Sequence, residues 1–381
     1  MLSQTERDAL FKFSLSMYQR LKTRNTRNVN FVCSPFSIAC ALATFASGAC
    51  NVTATQIFAA LNLKASKCRI EEQFFNLLTT LSSYAPDVTF HVANRIYSDQ
   101  KCTVHSSYRA LLEVSYSATM QSVDFESGHE SVWHEANAWV SEKTASKIQS
   151  ILPSVSVDPN TALIHLSAIC FRGFWEWPFD SDHTMRKLFH LNYYRAVHAD
   201  IMYQCNSFKG GYSEELRATA LEMPYRGQMM SMVIFVPDDV QGLCDLEQSL
   251  TPANLSKLLA SMEMTDNVHL FLPRFRIEHS VALRETLEDL GVKDLFTPGK
   301  ADLSVAFETG APSVSGVVHK ALVQVDEEGT KPEPAAMNPV FQSARPIADH
   351  VNFLDVDRPF MFLIKMNDLD VILFLGSVRR L

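Results

Sequence analysis

Two periodicities divide the chain. In the first half apolar residues recur at three- and four-residue spacing, which predicts helices over residues 3–22, 35–48, 53–62, 68–83 and 128–151. A single alternating run, VTFHVANRIYS, interrupts them and predicts a strand. From about Thr161 the period shortens: ALIHLSAICFRG, RATALEMPYR, SMVIFVPDD, VHLFLPRFRIE, GVVHKALVQV, FMFLIK and VILFLGSV read as strands, the central ones buried on both faces. Two helical stretches fall among them, LEQSLTPANLSKLLASM and HSVALRETLEDLGVKDLF. The second has apolar positions at Val281, Leu283, Leu287, Leu290 and Val292 and a glycine stop at Gly291. No repeat is evident and no linker-like segment precedes residue 325, so the pattern predicts one α+β domain over residues 1–381.

One segment breaks this pattern. VDEEGTKPEPAAMNPVFQSARPI, residues 325–347, carries four of the sixteen prolines between Pro332 and Pro346, and apolar strand-like runs flank it on both sides. Proline suits neither a helix interior nor a central strand, so the segment predicts an exposed loop.

Composition narrows the function classes. With 381 residues, 47% hydrophobic and 20% charged, the chain can bury a large core. Its net charge of -8, from 34 basic and 42 acidic residues without long like-charge blocks, gives no means of recruiting nucleic acid. The N-terminal MLSQTERDALFKFSLSMYQRL is acidic where a signal peptide needs a basic start, and it reads as an amphipathic helix. The expected location is extracellular if a signal peptide has been removed and cytoplasmic otherwise. Phe31 to Cys50 has membrane-span length, but Ser34, Pro35, Ser37, Thr44, Ser47 and Gly48 interrupt it, which predicts a buried central helix and no membrane partner. The eight cysteines, at 33, 40, 50, 68, 102, 170, 205 and 244, form no CxxC and no zinc-like pairing with histidine, so most are expected to be buried free thiols. Sequons at Asn51 and Asn254 are too common a pattern to decide secretion.

Catalytic signatures are missing. There is no GxSxG elbow, no GxGxxG after a strand and no phosphate loop. His134-Glu135 begins like a zincin motif without the second histidine. His183, His190 and His198 fall in DSDHTMRKLFHLNYYRAVHAD, which reads as loop-rich surface where histidine is solvated. No enzyme, metal or cofactor is expected.

Several motifs in a fixed order resemble the serpin family, in particular its arthropod-type members, over nearly the whole chain. They are NVNFVCSPFSIACALATFASGA, ALIHLSAICFRGFWEWPFD, ALEMPYRGQMMSMVIFVPDD, VHLFLPRFRIEHSVALRETLEDLGVKDLFTPGKADLS, VVHKALVQVDEEGT and DRPFMFLIKMNDLDVILFLGSV. The resemblance implies about nine helices around three β-sheets, a metastable fold acting as a monomer, and a reactive-centre loop at approximately 327–352. In inhibitory members a serine protease cleaves that loop, forms an acyl-enzyme, and is trapped as the cut loop inserts into the main sheet. Ser34, Ser37 and His319 match the family's polar shutter under this sheet. Ser167 stands where the family usually has asparagine, and a hydroxyl makes fewer bonds than an amide, which implies a shutter that is looser or water-filled. Trp175 matches the breach tryptophan, and Arg274 with Glu327 the ion pair at the top of the opening sheet. The stretch SKCRIEEQFFNLL, where a heparin-binding helix would lie, is mixed in charge, so no heparin site is implied.

The hinge, Glu327 to Pro334, departs from the inhibitory pattern. Glu327, Glu328, Gly329 and Thr330 fit it, but Lys331, Pro332, Glu333 and Pro334 replace a run of small residues. At period two, Thr330, Pro332, Pro334 and Ala336 would face one side of an inserted strand and Lys331, Glu333 and Ala335 the other. The two prolines remove donors directed at one neighbouring strand, at about 1–3 kcal/mol each. If about 3 kcal/mol of that enters the insertion barrier, insertion slows about a hundredfold, and hydrolysis can outrun trapping. Two functions stay open: a serine-protease inhibitor slowed by its hinge, and a non-inhibitory serpin that is only cleaved or that binds a ligand or partner. The scissile bond falls at Ser343-Ala344 by counting roughly fourteen residues from Gly329, while Arg345 is the basic bait, disfavoured by Pro346, and Phe341-Gln342 suits a chymotrypsin-like pocket.

Overall fold

The computed structural model describes residues 2–24, 29–64, 66–153, 157, 159–309, 312–330 and 352–381. Its first half runs α1 (Gln4–Arg24), β1 (Phe31–Cys33), α2 (Pro35–Gly48), α3 (Asn51–Ala60), α4 (Lys67–Ser82), β2 (Val88–Asp99), α5 (Ser106–Tyr116), β3 (Ala118–Val123), α6 (Phe125–Lys143) and β4 (Leu163–Phe174). The second half begins with β5 (Met185–Asn192), β6 (Arg195–Ser213), β7 (Ala218–Pro224), β8 (Met230–Pro237), α7 (Leu243–Ser249), α8 (Pro252–Ser261), β9 (Glu263–Pro273) and β10 (Phe275–Ala282). It ends with α9 (Arg284–Asp289), β11 (Gly316–Val325), β12 (Gly329–Thr330), β13 (Phe353–Asp355), β14 (Phe360–Met366) and β15 (Ile372–Val378).

The long uncharged stretch forms α2, and every one of its 14 residues is buried. Ser34 caps it, its side chain accepting from the Ser37 N–H, and Pro35 occupies the first turn, where its missing donor costs nothing. This helix supports a six-stranded sheet in the order β10-β11-β12-β4-β2-β3. On β4 the period-two pattern sends Leu163, Ile169 and Phe171 into the main core, whereas Ile164, Leu166, Ala168 and Cys170 pack against Phe125, Val132, Ala136 and Trp139 of α6 on the other face. The second sheet has nine strands, and β6, 19 residues long, pairs β5 and β9 along its first part and β7 along its last, so two of the three expected sheets are hydrogen-bonded as one.

Several expectations are corrected. HSVALRETLEDLGVKDLF is not one helix: its start belongs to β10, which pairs β11 residue by residue from Phe275 to Ala282, Arg284–Asp289 alone is α-helical, and Asp294–Phe296 forms a short 3-10 turn. Tertiary pairing overrides the helical spacing there, although Gly291 does end the turn at φ +97°. LEQSLTPANLSKLLASM is two helices, because Thr251 and Asn254 build a capping box and Pro252 starts α8. The histidine-bearing stretch read as loop is the β5–β6 hairpin, with His190 and His198 within the strands and His183 in the turn before them. α6 begins at Phe125 and stops at Lys143, because Asp124 caps it and Ala145 and Ser146 adopt positive φ. All eight cysteines are free, but only Cys33, Cys40, Cys102 and Cys170 are buried.

β15 is wedged between β1 and β14, and Gly376 sits where both neighbours press in: a Cβ there would meet Phe362 Cζ at 2.5 Å and Phe31 O at 2.8 Å. Gly376→Ala is expected to destabilise the protein by about 1–3 kcal/mol, because a backbone oxygen cannot rotate away. The check is the midpoint of urea unfolding followed by tryptophan fluorescence.

Candidate functional site

Along the middle of the six-stranded sheet β11 and β4 run parallel and pair directly, from Gly316 with Ile164 to Leu322 with Cys170. Above that point the two strands part, and β12 fills the fork: Thr330 pairs Val325 of β11 and Gly173 of β4, and Gly329 pairs Phe174. The first two hinge residues after Glu328 therefore already form a strand in the sheet. Lys331, Pro332, Glu333 and Pro334, and the bond candidates Phe341, Gln342, Ser343, Ala344, Arg345 and Pro346, lie outside the described residues.

The fork admits β12 because two glycines meet in it. A Cβ on Gly329 would lie 2.0 Å from Gly173 O, and one on Gly173 would lie 2.7 Å from Tyr225 Cδ1. Trp175, 1% exposed, stacks on Tyr225 with ring centroids 4.7 Å apart and planes 10° apart. Its Nε1 donates to Asp326 O at 3.1 Å, and its main-chain N–H donates to Glu328 O at 2.9 Å. Thr330, fully buried, shares a 2.8 Å hydroxyl contact with the Tyr225 phenol. Burial pushes that phenol well above the usual tyrosine range, so it stays a neutral hydrogen-bonding group.

The preceding turn is tied by charge. Arg274 Nε donates to Glu327 Oε1 at 2.7 Å, Arg274 Nη2 pairs with the same carboxylate, and the Thr184 hydroxyl donates to it as well. The Glu327 side chain is 7% exposed, so these bonds compensate a carboxylate removed from water. The structure thus brings Trp175, Arg274, Glu327, Glu328, Gly329 and Thr330 together. It adds Tyr225, Gly173 and Thr184, which sequence reasoning missed.

Below the fork lies the second predicted group, under the seam where His319 of β11 sits opposite Ser167 of β4. Ser37 Oγ and Ser167 Oγ are 2.6 Å apart, and the Ser34 N–H donates to His319 Nε2 at 3.0 Å. An imidazole that accepts at Nε2 is the neutral form carrying its proton on Nδ1. Burial holds His319 down at about 3, aided by the neighbouring His279 and His165 rings. His165, two residues before Ser167 on the same strand and face, is also fully buried, and burial lowers it to about 3. Period-two spacing from Ser167 was the signal that could have found it.

Ser167 departs from the family asparagine yet still reaches Ser37. Its neighbours carry the unmet polar atoms. Among the described residues Asn94 Oδ1, His319 Nδ1 and both His165 nitrogens have no hydrogen-bond partner, and Asn94 pairs Ser167 across β2 and β4. A polar seam with unmet partners lies where a further strand would have to open the sheet.

The profile of a family described as serpin (serine protease inhibitor) matches residues 8–381. "Iris" from Ixodes ricinus is 44% identical over 373 residues, 98% of each chain. "Ipis-1" from Ixodes persulcatus is 45% identical over 376 residues, again 98% of each chain. Among solved structures, Serpin48, described as a highly specific serpin in the insect Tenebrio molitor, has a TM-score of 0.89 at 31% identity and covers 100% of this chain and 99% of its own. With that match from end to end and the shared architecture of sheet and fork, the chain belongs to the serpin family, protease inhibitors rather than enzymes.

Proposed function

We propose that the protein traps a serine endopeptidase by offering the segment beyond Thr330 as bait, and that the freed segment then enters the sheet between β11 and β4. The observation that carries this reading is the hinge: Gly329 and Thr330 stand in the fork in an antiparallel register that, continued, runs down the seam. On that register residue 331 falls opposite Gln324 and Arg172, and residue 339 opposite Gly316 and Ile164. Thr330, Pro332, Pro334 and Ala336 then face the core, while Lys331 and Glu333 face the α6 side. In these roles Ser34, Ser37, Ser167 and His319 act as the shutter that must part, and Trp175, Arg274 and Glu327 as the breach that guides the strand. The protein acts as a monomer without a polyanion cofactor.

The register also says which ladder the prolines damage. Gly329 exchanges hydrogen bonds with Asp326 on the β11 side, at 2.8 and 3.3 Å. Directions alternate along a strand, so Thr330, Pro332 and Pro334 address β4. Insertion would leave the Phe171 and Ile169 carbonyls without donors, at about 1–3 kcal/mol each. This slows insertion without abolishing its gain, and the protein is a slow inhibitor. The same prolines favour the second reading, a serpin that is cleaved and released without trapping its protease.

Incubation with trypsin-, chymotrypsin- and elastase-like serine proteases is expected to give a covalent complex that survives a denaturing gel, together with much cleaved protein. The mass of the released C-terminal peptide decides among Phe341-Gln342, Ser343-Ala344 and Arg345-Pro346. Clean cleavage by every protease, with no complex and no rise in melting temperature, would establish the second reading.

Pro332→Ala with Pro334→Ala restores both donors. The complexed fraction should rise relative to the cleaved one, with insertion faster by up to about a hundredfold. An unchanged partition, measured by densitometry, would show that the prolines do not set the barrier.

The histidine seam makes stability depend on pH. Native His165 and His319 titrate near about 3, whereas an unfolded histidine titrates near about 6.5, so between those values the unfolded chain binds more protons. The stability held above about pH 6.5 is lost as pH falls, by up to about 1.4 kcal/mol per pH unit for each ring. The melting temperature should drop from pH 7 to pH 5, and His165→Leu should make that drop shallower. An identical slope in the variant would sink this account.

A further inference from the structure

Cys244 lies far in function from the fork. It is half-buried in the first turn of α7 and stands at the edge of a cleft of about 420 Å³, within the roughly 300–1,000 Å³ range of small-molecule sites. Asn192, Arg195, Gln241, Arg379 and Arg380 contribute to the lining, and no carboxylate does. Three arginines lining one cleft stand out in a chain of net charge -8.

The arginines come from well-fixed segments. Arg195 begins β6 just after the β5–β6 turn, while the Arg379 and Arg380 N–H groups both donate to Asn30 Oδ1, at 2.7 and 3.0 Å. Arg379 Nη1 donates to Cys244 Sγ at 3.4 Å, and Nη2 pairs with Glu247. The Arg379 side chain is only 9% exposed, and its Nε has no hydrogen-bond partner among the described residues. Glu247 balances the Arg379 charge, but the buried Nε–H still lacks an acceptor, and with Arg195 and Arg380 also lining the cleft an anionic ligand is the partner that would suit it.

We propose that Cys244 is a thiol–disulfide exchange site for an anionic low-molecular-weight disulfide, whose carboxylates are held by Arg195, Arg379 and Arg380. The Cys244 thiol gives its proton to solvent, and its sulfur attacks one sulfur of the bound disulfide. A new S–S bond forms as the old one breaks, and the departing thiolate takes the electron pair. During the exchange negative charge is spread over three sulfurs, and Arg379 Nη1 sits against the attacking one. The buried thiols do not compete: burial pushes those of Cys33, Cys40, Cys102 and Cys170 upward, toward the unreactive protonated form. Exposed Cys205 provides an internal reference.

The test compares glutathione disulfide, which is anionic, with cystamine, which is cationic, on the full chain, mapping mixed disulfides by peptide mass over time. Net negative charge favours cystamine at an ordinary site, so a reversed order at Cys244 is diagnostic. Cys244 is expected to react at least about tenfold faster with glutathione disulfide than with cystamine, while Cys205 shows no such preference. About 1 M salt should erase the preference, since exposed charge pairs are screened within a few ångströms. Arg195→Ala with Arg380→Ala should erase it too, and an unchanged melting temperature shows that the variant is folded. Absence of modification at Cys244, equal rates with the two disulfides, or a preference untouched by salt would each overturn the proposal.

Discussion

The parallel pairing of β11 with β4 is the closure on which the other features depend. It joins two strands that arrive from distant parts of the chain, and it spans seven residue pairs, from Gly316 with Ile164 to Leu322 with Cys170. Parallel pairing is slightly weaker per residue than antiparallel pairing. Here it also passes over Ser167 and His319, where His319 Nδ1, both nitrogens of nearby His165 and Asn94 Oδ1 lack hydrogen-bond partners among the described residues. Each unmet buried group costs about 1–3 kcal/mol. The sheet is thus closed along a line with unmet polar groups, and a strand inserted there would replace one parallel ladder with two antiparallel ones.

The fork above the seam holds Gly329 and Thr330 in a single register. Side-chain size excludes alternatives, because the Gly173 oxygen leaves no room for a Cβ at position 329. Charge fixes the turn before it, through Glu327 held by Arg274 and Thr184. The hydroxyl of Thr330 then finds the Tyr225 phenol on the core side. A one-residue slip would put Lys331 against Tyr225 and Phe171, burying a charge without a partner. The order of residues after the hinge is therefore readable as a strand even though two of them are prolines.

The sequence made some of this legible and hid the rest for identifiable reasons. Strands with strong alternation, and α2 with its cap and first-turn proline, follow from local chemistry. The start of β10 did not, because His279, Val281 and Leu283 fit both periods and only pairing with β11 decides between them. The hinge glycine was visible as a family pattern, but its cause, a second glycine more than a hundred residues away, is a tertiary fact. Tyr225 was missed because nothing local marks a tyrosine after β7 as the platform for Trp175. His165 was readable in principle. Its face follows from Ser167 by period two, but an isolated histidine in an apolar strand carries no label.

The prolines and the histidines act at different depths, and this separates rate from outcome. On the continued register Pro332 and Pro334 fall opposite Phe171 and Ile169, near the mouth of the fork, so their missing donors are felt early, when few new bonds have formed. Ala336 falls between Ser167 and His319, where a small side chain disturbs the Ser37 contact least. Asn338 falls opposite His165, whose two nitrogens have no hydrogen-bond partner among the described residues. An amide offers both a donor and an acceptor to such a ring. If the segment inserts on this register, the penalty falls at the start of insertion and the polar gain near its end, an arrangement that would lower the rate of trapping more than the stability of the inserted state.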